Sequence, residues 1–493
     1  MTLQINHLDF AFEGQDQKLF TDLSLSFGPG WTGLLGPNGA GKSTLLQLAT
    51  GQLAGPQQAF MRPQTSLYLP QWVEAAPPGL EEFLALPDAT AGRLNALLEL
   101  GWDWAQRWGQ LSPGERKRAQ VGWALWQRPE LLALDEPSNH LDAAARGLLS
   151  KALHSYPGTG ILVTHDRELL SSLARQVVWI EPGATPIWAP TLELVLAEKE
   201  RRRSTLIHQR QQVQAQLGQL RRRSGAFRDQ ANRSHQLRSK GRVDPKDHDA
   251  KAKINLARVS GKDGQAGKQL NQLSGRLAQV SSQLEELKVT KDHRAPIQLA
   301  SKPSKRSLLL QLKAGRLPLG PQNFLEFPHL ELGPQDRIAL SGPNGAGKSC
   351  LLRHLMSRIS LAPAELFYLP QEPNGQQIAQ ELLRLKEMPP ELRGQVLALV
   401  GRLGSEPEAL LRSANPSPGE LRKLALAQGL LSQPALLLLD EPSNHLDLPS
   451  LLALEGALES FGGAILLITH DAQLAQRLCQ KFWKIDQGRL SLG

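Results

Sequence analysis

Cysteine is nearly absent: the 493 residues hold two, Cys350 and Cys479. Two thiols cannot build a disulfide framework, a four-cysteine zinc site or an iron–sulfur cluster, and they suit a reduced, cytoplasmic setting. Long apolar runs are missing as well. The longest, such as Leu436–Leu439, have the length of buried strands, far below the ~18 residues that cross a bilayer, so no membrane partner is expected. The opening MTLQINHLDF has no basic stretch followed by an apolar core, which argues against secretion. Aromatic residues are only 5% of the chain, and between 191 and 300 the single one is Phe227.

What remains is ordinary for a globular protein, 41% hydrophobic and 21% charged, in a chain long enough for two or three domains. The charge is not evenly spread. Residues 191–300 carry 23 Lys+Arg against 11 Asp+Glu, a net +12 out of a chain total of +9, which leaves −3 for the rest. A basic segment of this kind points to a polyanionic partner.

The flanks of that segment repeat one another. GPNGAGKS at Gly36–Ser43 returns at Gly342–Ser349, an offset of 306, and YLPQ at Tyr68–Gln71 returns at Tyr368–Gln371, an offset of 300. SPGE (Ser112–Glu115, Ser417–Glu420), LDEPSNHLD (Leu134–Asp142, Leu439–Asp447) and THD (Thr164–Asp166, Thr469–Asp471) all recur at 305. Five motifs in one order at a nearly constant offset mean a duplicated domain. Strand-like runs at Thr32–Leu35, Leu131–Leu134 and Ile161–Val163 alternate with helical stretches, so each copy is expected to be an α/β domain with a largely parallel sheet. The copies are placed at 1–190 and 301–493, with a bridge at 191–300.

The bridge has a helical period. Leu192, Leu196, Leu206, Val213, Leu217 and Leu220 fall on one seam, with Lys199, Arg203 and Arg210 filling its gaps, and Leu270, Leu273, Leu277, Val280, Leu284 and Leu287 form a second. Two such helices suggest an antiparallel coiled-coil hairpin. Its tip is expected in Ser224–Lys268, with a short helix around Ala250–Val259. Arg221, Arg222, Arg223, Arg228, Arg233, Arg238, Lys240, Arg242, Lys251 and Lys253 gather near that tip. With stacking side chains so scarce, contact with RNA phosphates should dominate.

The motifs carry phosphate chemistry. In GxxxxGK[ST] the glycines let backbone N–H groups close on phosphates at the positive end of a helix. Lys42 and Lys348 would meet the β/γ-phosphates, and Ser43 and Ser349 would hold Mg²⁺. Asp135 and Asp440, each ending a buried strand, would support the metal, while Glu136 and Glu441 are placed to polarise an attacking water. SPGE is both an excellent helix start, with Ser as N-cap and Glu closing a capping box, and a receptor for a terminal phosphate. Trp123 and Trp126, three apart on the helix that follows the first SPGE, read as core packing in a cluster with Trp102, Trp104 and Trp108; Arg116, Lys117 and Arg118 could touch nucleic acid, but a solvated helix face is the preferred reading.

This ordered set, with SPGE in place of the more usual LSGGQ, resembles an ATP-binding-cassette ATPase, and it covers both halves. The resemblance implies an ATP hydrolase made of two tandem P-loop domains that close head to tail within one chain, with no obligate oligomer. ATP and Mg²⁺ would then be held by Gly36, Pro37, Asn38, Gly39, Ala40, Gly41, Lys42, Ser43 and Thr44 together with Ser417 and Gly419 of the other half. The mirror site would use Gly342, Pro343, Asn344, Gly345, Ala346, Gly347, Lys348, Ser349 and Cys350 with Ser112 and Gly114. Gln71 and Gln371 would sense Mg²⁺, Asp142 and Asp447 would cross the interface, and His165 and His470 would contact the γ-phosphate. Phe12 offers an adenine-stacking ring that the region near Leu310–Arg316 lacks. Pro416 stands before the second signature where Leu111 stands before the first, and Cys350 replaces Thr44.

The paired SNHLD motifs and the bridge resemble the ABC-F group, whose linker enters the ribosomal tRNA exit site; the implied partners are the ribosome and tRNA. Lys42 to Ser112 spans 70 residues and Lys348 to Ser417 spans 69, leaving no room for the arm that some ABC-F members insert in the first cassette. The alternatives are a fused importer ATPase and a DNA-associated ABC ATPase. The first would lack a basic bridge, and the second would insert zinc motifs or much longer coils.

Overall fold

A computed structural model describes residues 2–14, 18–85, 88–139, 141–237, 262–287, 304–320, 323–371, 382–412 and 416–493. Two compact units emerge. One comprises Met1–Val195 with His293–Gly493, and the other Leu196–Asp292.

The first unit holds both copies of the repeat. In the first copy six strands form a sheet in the order Ser66–Leu69, Leu131–Asp135, Thr159–Val163, Gly30–Leu35, Ala174–Trp179 and Ile187–Ala189. Every neighbouring pair is parallel except the last. Leu131–Asp135 and Thr159–Val163 are buried at all five positions, as continuous apolar strands covered on both faces must be. Alternate residues feed two cores. Leu132, Leu134 and Leu162 pack with the helices Leu80–Ala85, Ala89–Leu98 and Pro113–Trp126. Leu131, Ala133, Ile161 and Val163 pack with the helix Lys42–Thr50 and with a small antiparallel sheet built from Leu3–Phe10, Phe20–Phe27 and Phe60–Met61.

The second copy repeats this plan with one difference. Its strands Gly315–Pro318 and Phe324–Phe327 join the main sheet, giving eight strands that run on through Arg489–Leu492, Lys481–Asp486, Arg337–Ser341, Ala464–Ile468 and Leu436–Asp440 to Leu366–Leu369. Leu437, Leu439, Ile465 and Leu467 serve one core, and Leu436, Leu438, Leu466 and Ile468 the other. In both copies the phosphate loop, the paired acids and the Thr-His-Asp segment leave the carboxyl ends of adjacent parallel strands, which is where open α/β sheets bind ligands.

The second unit contains the bulk of a helix spanning Leu192–Leu237 and a second helix, Lys262–Glu286. Thr191 precedes the first, its Oγ1 accepting from the Leu194 N–H at 3.5 Å. Along the first seam Leu196, Lys199, Arg203, Arg210, Val213 and Leu220 are half-buried and Leu217 is buried, but Leu206 is exposed and Ile207 takes its place. The strict heptad spacing is therefore broken at that turn. On the second helix Leu273, Leu277 and Leu284 are half-buried and Val280 is buried, as a 3,4 seam requires, and Leu287 just beyond it is half-buried too. The segment proposed as a short helix, Ala250–Val259, lies outside the described residues.

Among the described residues no helix is long and apolar enough to cross a membrane.

Candidate functional site

The phosphate loops follow from their glycines. Gly41 and Gly347 precede the helices Lys42–Thr50 and Lys348–Met356 at φ of 85° and 92°, a left-handed conformation that costs glycine little. A Cβ at Gly36 would come 2.3 Å from the Ile180 carbonyl oxygen, and one at Gly342 would come 2.7 Å from that of Ile485, so both loops hug the sheet. Each lysine folds back on its own loop: Lys42 Nζ donates to the Gly36 and Pro37 carbonyls at 2.9 and 3.0 Å, and Lys348 Nζ to Gly342 and Pro343 at 2.7 and 2.9 Å. Burial lowers the pKa of both.

The acids follow at the next strand. Ser349 Oγ donates to Asp440 Oδ2 at 2.7 Å, and Tyr68 OH donates to Asp135 Oδ2 at 3.1 Å. Glu136 and Glu441 each turn the backbone into the left-handed region, at φ of 47° and 48°. A non-glycine residue held there in both copies marks strain concentrated at a functional point. Burial, with Asp135 adjacent, lifts the Glu136 carboxyl to about 8; burial lifts Glu441 to about 7, against the nearby Arg146. His165 and His470 stand opposite, with Nε2 at 3.2 Å from Glu136 Oε1 and at 3.4 Å from Glu441 Oε1. Burial, reinforced by Lys42 and by Lys348, holds these imidazoles down to about 3 and about 4, so both are neutral at physiological pH.

The two copies meet head to tail at these elements. Asp447 caps the helix Leu448–Ser460 through the Ser450 N–H, and its Oδ2 accepts the Asn38 N–H of the first phosphate loop at 2.7 Å. Asp142 caps the helix Ala143–His154, and its Oδ2 accepts the Asn344 N–H of the second loop at 3.3 Å. A cavity of about 620 Å³ brings Lys42, Ser43, Thr44, Gln71, Asp135, Glu136 and His165 together with Ser417 and Gly419 of the opposite copy. Phe12 stands at its edge, on the nine-residue segment 11–19 between two strands; the corresponding connection in the second copy, 319–323, is five residues long and has no aromatic. Ser112 and Ser417 both close capping boxes, their hydroxyls donating to Glu115 and Glu420 Oε2 at 2.8 Å. Gly114 and Gly419 sit on the first turns of those helices. Gln371 is exposed, and Cys350 is half-buried beside Arg353.

The sites fit MgATP by what they leave unsatisfied. Apart from the close approach of the histidine Nε2 atoms, Glu136 Oε1 and Glu441 Oε1 are buried without a hydrogen-bond partner, as is His165 Nδ1, and Glu136 and His165 line the cavity at the first phosphate loop. Buried polar atoms of this kind carry a desolvation penalty that a ligand or its water relieves.

Two expectations about the helix after SPGE need correction. Arg116, Lys117 and Arg118 are not a solvated face. Lys117 is 3% exposed and donates to the Pro70 carbonyl at 2.6 Å, Arg118 reaches the Leu98 carbonyl at 2.7 Å across the Trp104 ring, and Arg116 reaches Gly109 at 3.0 Å. The tryptophans are core as expected at Trp104, Trp108, Trp123 and Trp126, whereas Trp102 is 79% exposed. The counterpart of Lys117, Arg422, is 1% exposed and donates to the carbonyls of Pro370, Gln371, Asp440, Glu441 and Pro442. It ties the glutamine segment to the acidic pair. The recurrence of a cation five residues after each signature serine, at the common offset of 305, was the available signal.

On the second unit, Arg201 and Arg202 are paired to Glu198, and Arg203 lies 3.4 Å from Glu200. Arg221, Arg222, Arg223 and Arg228 are exposed and have no acidic partner among the described residues. The side chain of Arg233, and Arg238, Lys240, Arg242, Lys251 and Lys253, lie outside the described residues.

A family model described as "ABC transporter" matches this chain twice, at residues 20–139 and 325–444. Ribosome protection protein VmlR of Bacillus subtilis (strain 168) is 29% identical over 481 residues, 95% of this chain and 84% of that protein. Energy-dependent translational throttle protein EttA of Escherichia coli (strain K12) is 28% identical over 535 residues, 94% of this chain and 88% of that one. Among solved structures, RNase-L Inhibitor matches with a TM-score of 0.60 over 98% of this chain and 90% of that one; at 19% identity this likeness establishes the tandem fold.

Proposed function

Because the chain belongs to the ATP-binding-cassette ATPases, and by its full-length relatives to their F group, we propose that it closes on two MgATP and couples that closure to the ribosome through the basic unit between its cassettes. The cassettes make it an ATP hydrolase. The observation that carries the reading is the crossed pair of contacts, Asp447 on the first phosphate loop and Asp142 on the second, which makes each site a product of both halves.

In this reading Lys42 and Lys348 leave their loop carbonyls to meet the β/γ-phosphates. Ser43 with Asp135 and Gln71, and Ser349 with Asp440 and Gln371, would hold Mg²⁺, which would supply neutralisation of the charge that builds on the transferred phosphate. Glu136 and Glu441, in their ionised forms, accept the proton of the attacking water, and the burial that raises their proton affinity makes each a stronger base. His165 and His470, neutral and facing them, contact the γ-phosphate. Ser112 and Ser417 turn their hydroxyls from Glu115 and Glu420 to the nucleotide across the interface.

The helices Leu192–Leu237 and Lys262–Glu286 pair as an antiparallel hairpin along the seams centred on Leu217 and Val280, and the arginines near its tip contact ribosomal RNA and the bound tRNA. Relatives named for ribosome protection and translational throttling support this choice of partner. So does the pattern of pairing: arginines near the cassette are neutralised by Glu198 and Glu200, while those at 221–228 are exposed. Replacing Arg221, Arg222 and Arg223 with Ala should weaken ribosome binding and lower the slope of log affinity against log salt by about 2 to 3, because each phosphate contact contributes close to one unit. Basal ATPase should persist. Unchanged affinity and slope in a filter-binding titration would remove these residues from the interface.

A further inference from the structure

The duplication is faithful at every motif, yet the cassette interface is not symmetric. Arg146, on the first turn after Asp142, corresponds at the offset of 305 to Leu451, and Arg167, just after the first Thr-His-Asp segment, corresponds to Ala472. Both arginines reach across. Arg146 Nη1 donates to the His470 carbonyl at 2.9 Å and lies 3.6 Å from Asp166 Oδ2, while its Nε holds the Leu141 carbonyl at 3.2 Å. Arg167 Nη2 donates to Asp471 Oδ2 at 3.1 Å and pairs with Glu455, a buried carboxylate that Arg477 grips from its other side at 3.0 Å. The side chains at the reciprocal positions, Leu451 and Ala472, have no donor. Leu451 is buried on the wall of the interface cavity, which Arg146 and His470 also line.

We infer that Arg146 is a positioning residue for hydrolysis at the second ATP site, acting across the interface by fixing the backbone of His470. This rests on the head-to-tail reading of the two sites. His470 N–H donates to Glu441 Oε2 at 3.3 Å, and its Nε2 faces Glu441 Oε1, so the residue whose carbonyl Arg146 holds presents both groups to the glutamate. One guanidinium thus joins the Asp142 segment, which touches the second phosphate loop, to the histidine that completes that site. The salt bridge of Arg167 to Asp471 fixes the next residue of the same segment. At the first site His165 makes the same contacts with Glu136, but among the described residues no arginine of the opposite cassette donates to its carbonyl; the opposite cassette's Lys423 acts on it only as a nearby charge. The first cassette thus holds the histidine segment of the second site through two arginines that have no counterparts at the first, whereas the loop contacts run the other way, Asp447 gripping the first loop at 2.7 Å and Asp142 the second at 3.3 Å.

The test separates the sites by single-turnover hydrolysis of ATP. In a Glu136→Gln background the second site is read, and in a Glu441→Gln background the first. Adding Arg146→Leu, which reproduces the residue at 451, should slow the second site about tenfold with the ATP concentration for half-maximal rate unchanged. The first site should slow less than threefold. Arg146→Lys, which can still donate one hydrogen bond, should recover part of the second-site rate, an outcome expected of positioning and not of lost packing. Equal slowing at both sites, a loss that appears in ATP affinity rather than rate, or wild-type rates with both substitutions would each overturn the inference. If neither single Gln background removes one turnover of the two, the assignment of Glu136 and Glu441 as the catalytic bases of the two sites fails instead.

Discussion

Replacing Glu136 and Glu441 together with Gln should lower ATP turnover by about 10²- to 10⁴-fold, the contribution of a positioned general base, while leaving ATP binding intact. The amide keeps the shape of the carboxylate and cannot take a proton. The same variant carries an opposite signature in stability. Burial, with Asp135 adjacent, raises the folded-state pKa of Glu136 from about 4.5 to about 8, so the folded protein favours the protonated form. A group raised in this way imposes no cost below the unfolded value and a growing one as pH climbs toward 8. Gln removes that cost. Without nucleotide, the melting temperature of the variant should therefore gain on the wild type between pH 5 and pH 8 on the scale that the raised pKa sets. A gap that does not change with pH would mean that Glu136 is ionised throughout, and that its partners outweigh its burial.

Arg422→Met should be the most damaging substitution outside the phosphate chemistry. The side chain is 1% exposed and serves five backbone carbonyls from two segments, Pro370–Gln371 and Asp440–Pro442. Methionine fills much of the volume but satisfies none of them. Leaving several buried acceptors unpaired costs about 3–5 kcal/mol. For a domain of this size that corresponds to a fall of roughly 10 °C in the melting transition. Lys117→Met, which removes a cation serving the Pro70 carbonyl and Gln120, should cost less. Calorimetry on both variants gives the ranking. A smaller loss for Arg422→Met than for Lys117→Met would contradict the role assigned to the five carbonyls.

The parts of this protein that were legible in its sequence are those fixed by local geometry. A glycine-rich loop between strand and helix, acids closing an apolar strand and a Ser-Pro-Gly-Glu helix start each impose their own conformation, and their order imposed the tandem fold. The residues that escaped are those whose environment is made by distant segments. Lys117 and Arg422 belong to charge-rich strings that look solvated, and only the folded sheet shows the carbonyls that bury them. Arg146 and Arg167 carry no motif, because their partners, His470, Asp471 and Glu455, lie about 290 to 320 residues away and meet them only when the cassettes face each other. The left-handed backbone at Glu136 and Glu441 was equally hidden, since nothing in the type of a glutamate announces it. Leu206 fits the heptad by count yet faces solvent, with Ile207 turned inward, so the seam shifts by one residue at that point.

The reading as a ribosome-directed ATPase stands or falls on one sedimentation experiment. The Glu136→Gln, Glu441→Gln protein, mixed with ribosomes at low salt, should pellet with them when ATP is present, remain in the supernatant without nucleotide, and be released as salt rises. Wild-type protein should pellet less, because hydrolysis reopens the cassettes. If the variant binds ATP but stays in the ribosome-free fraction at low salt, the two sites close for another purpose and the account is wrong.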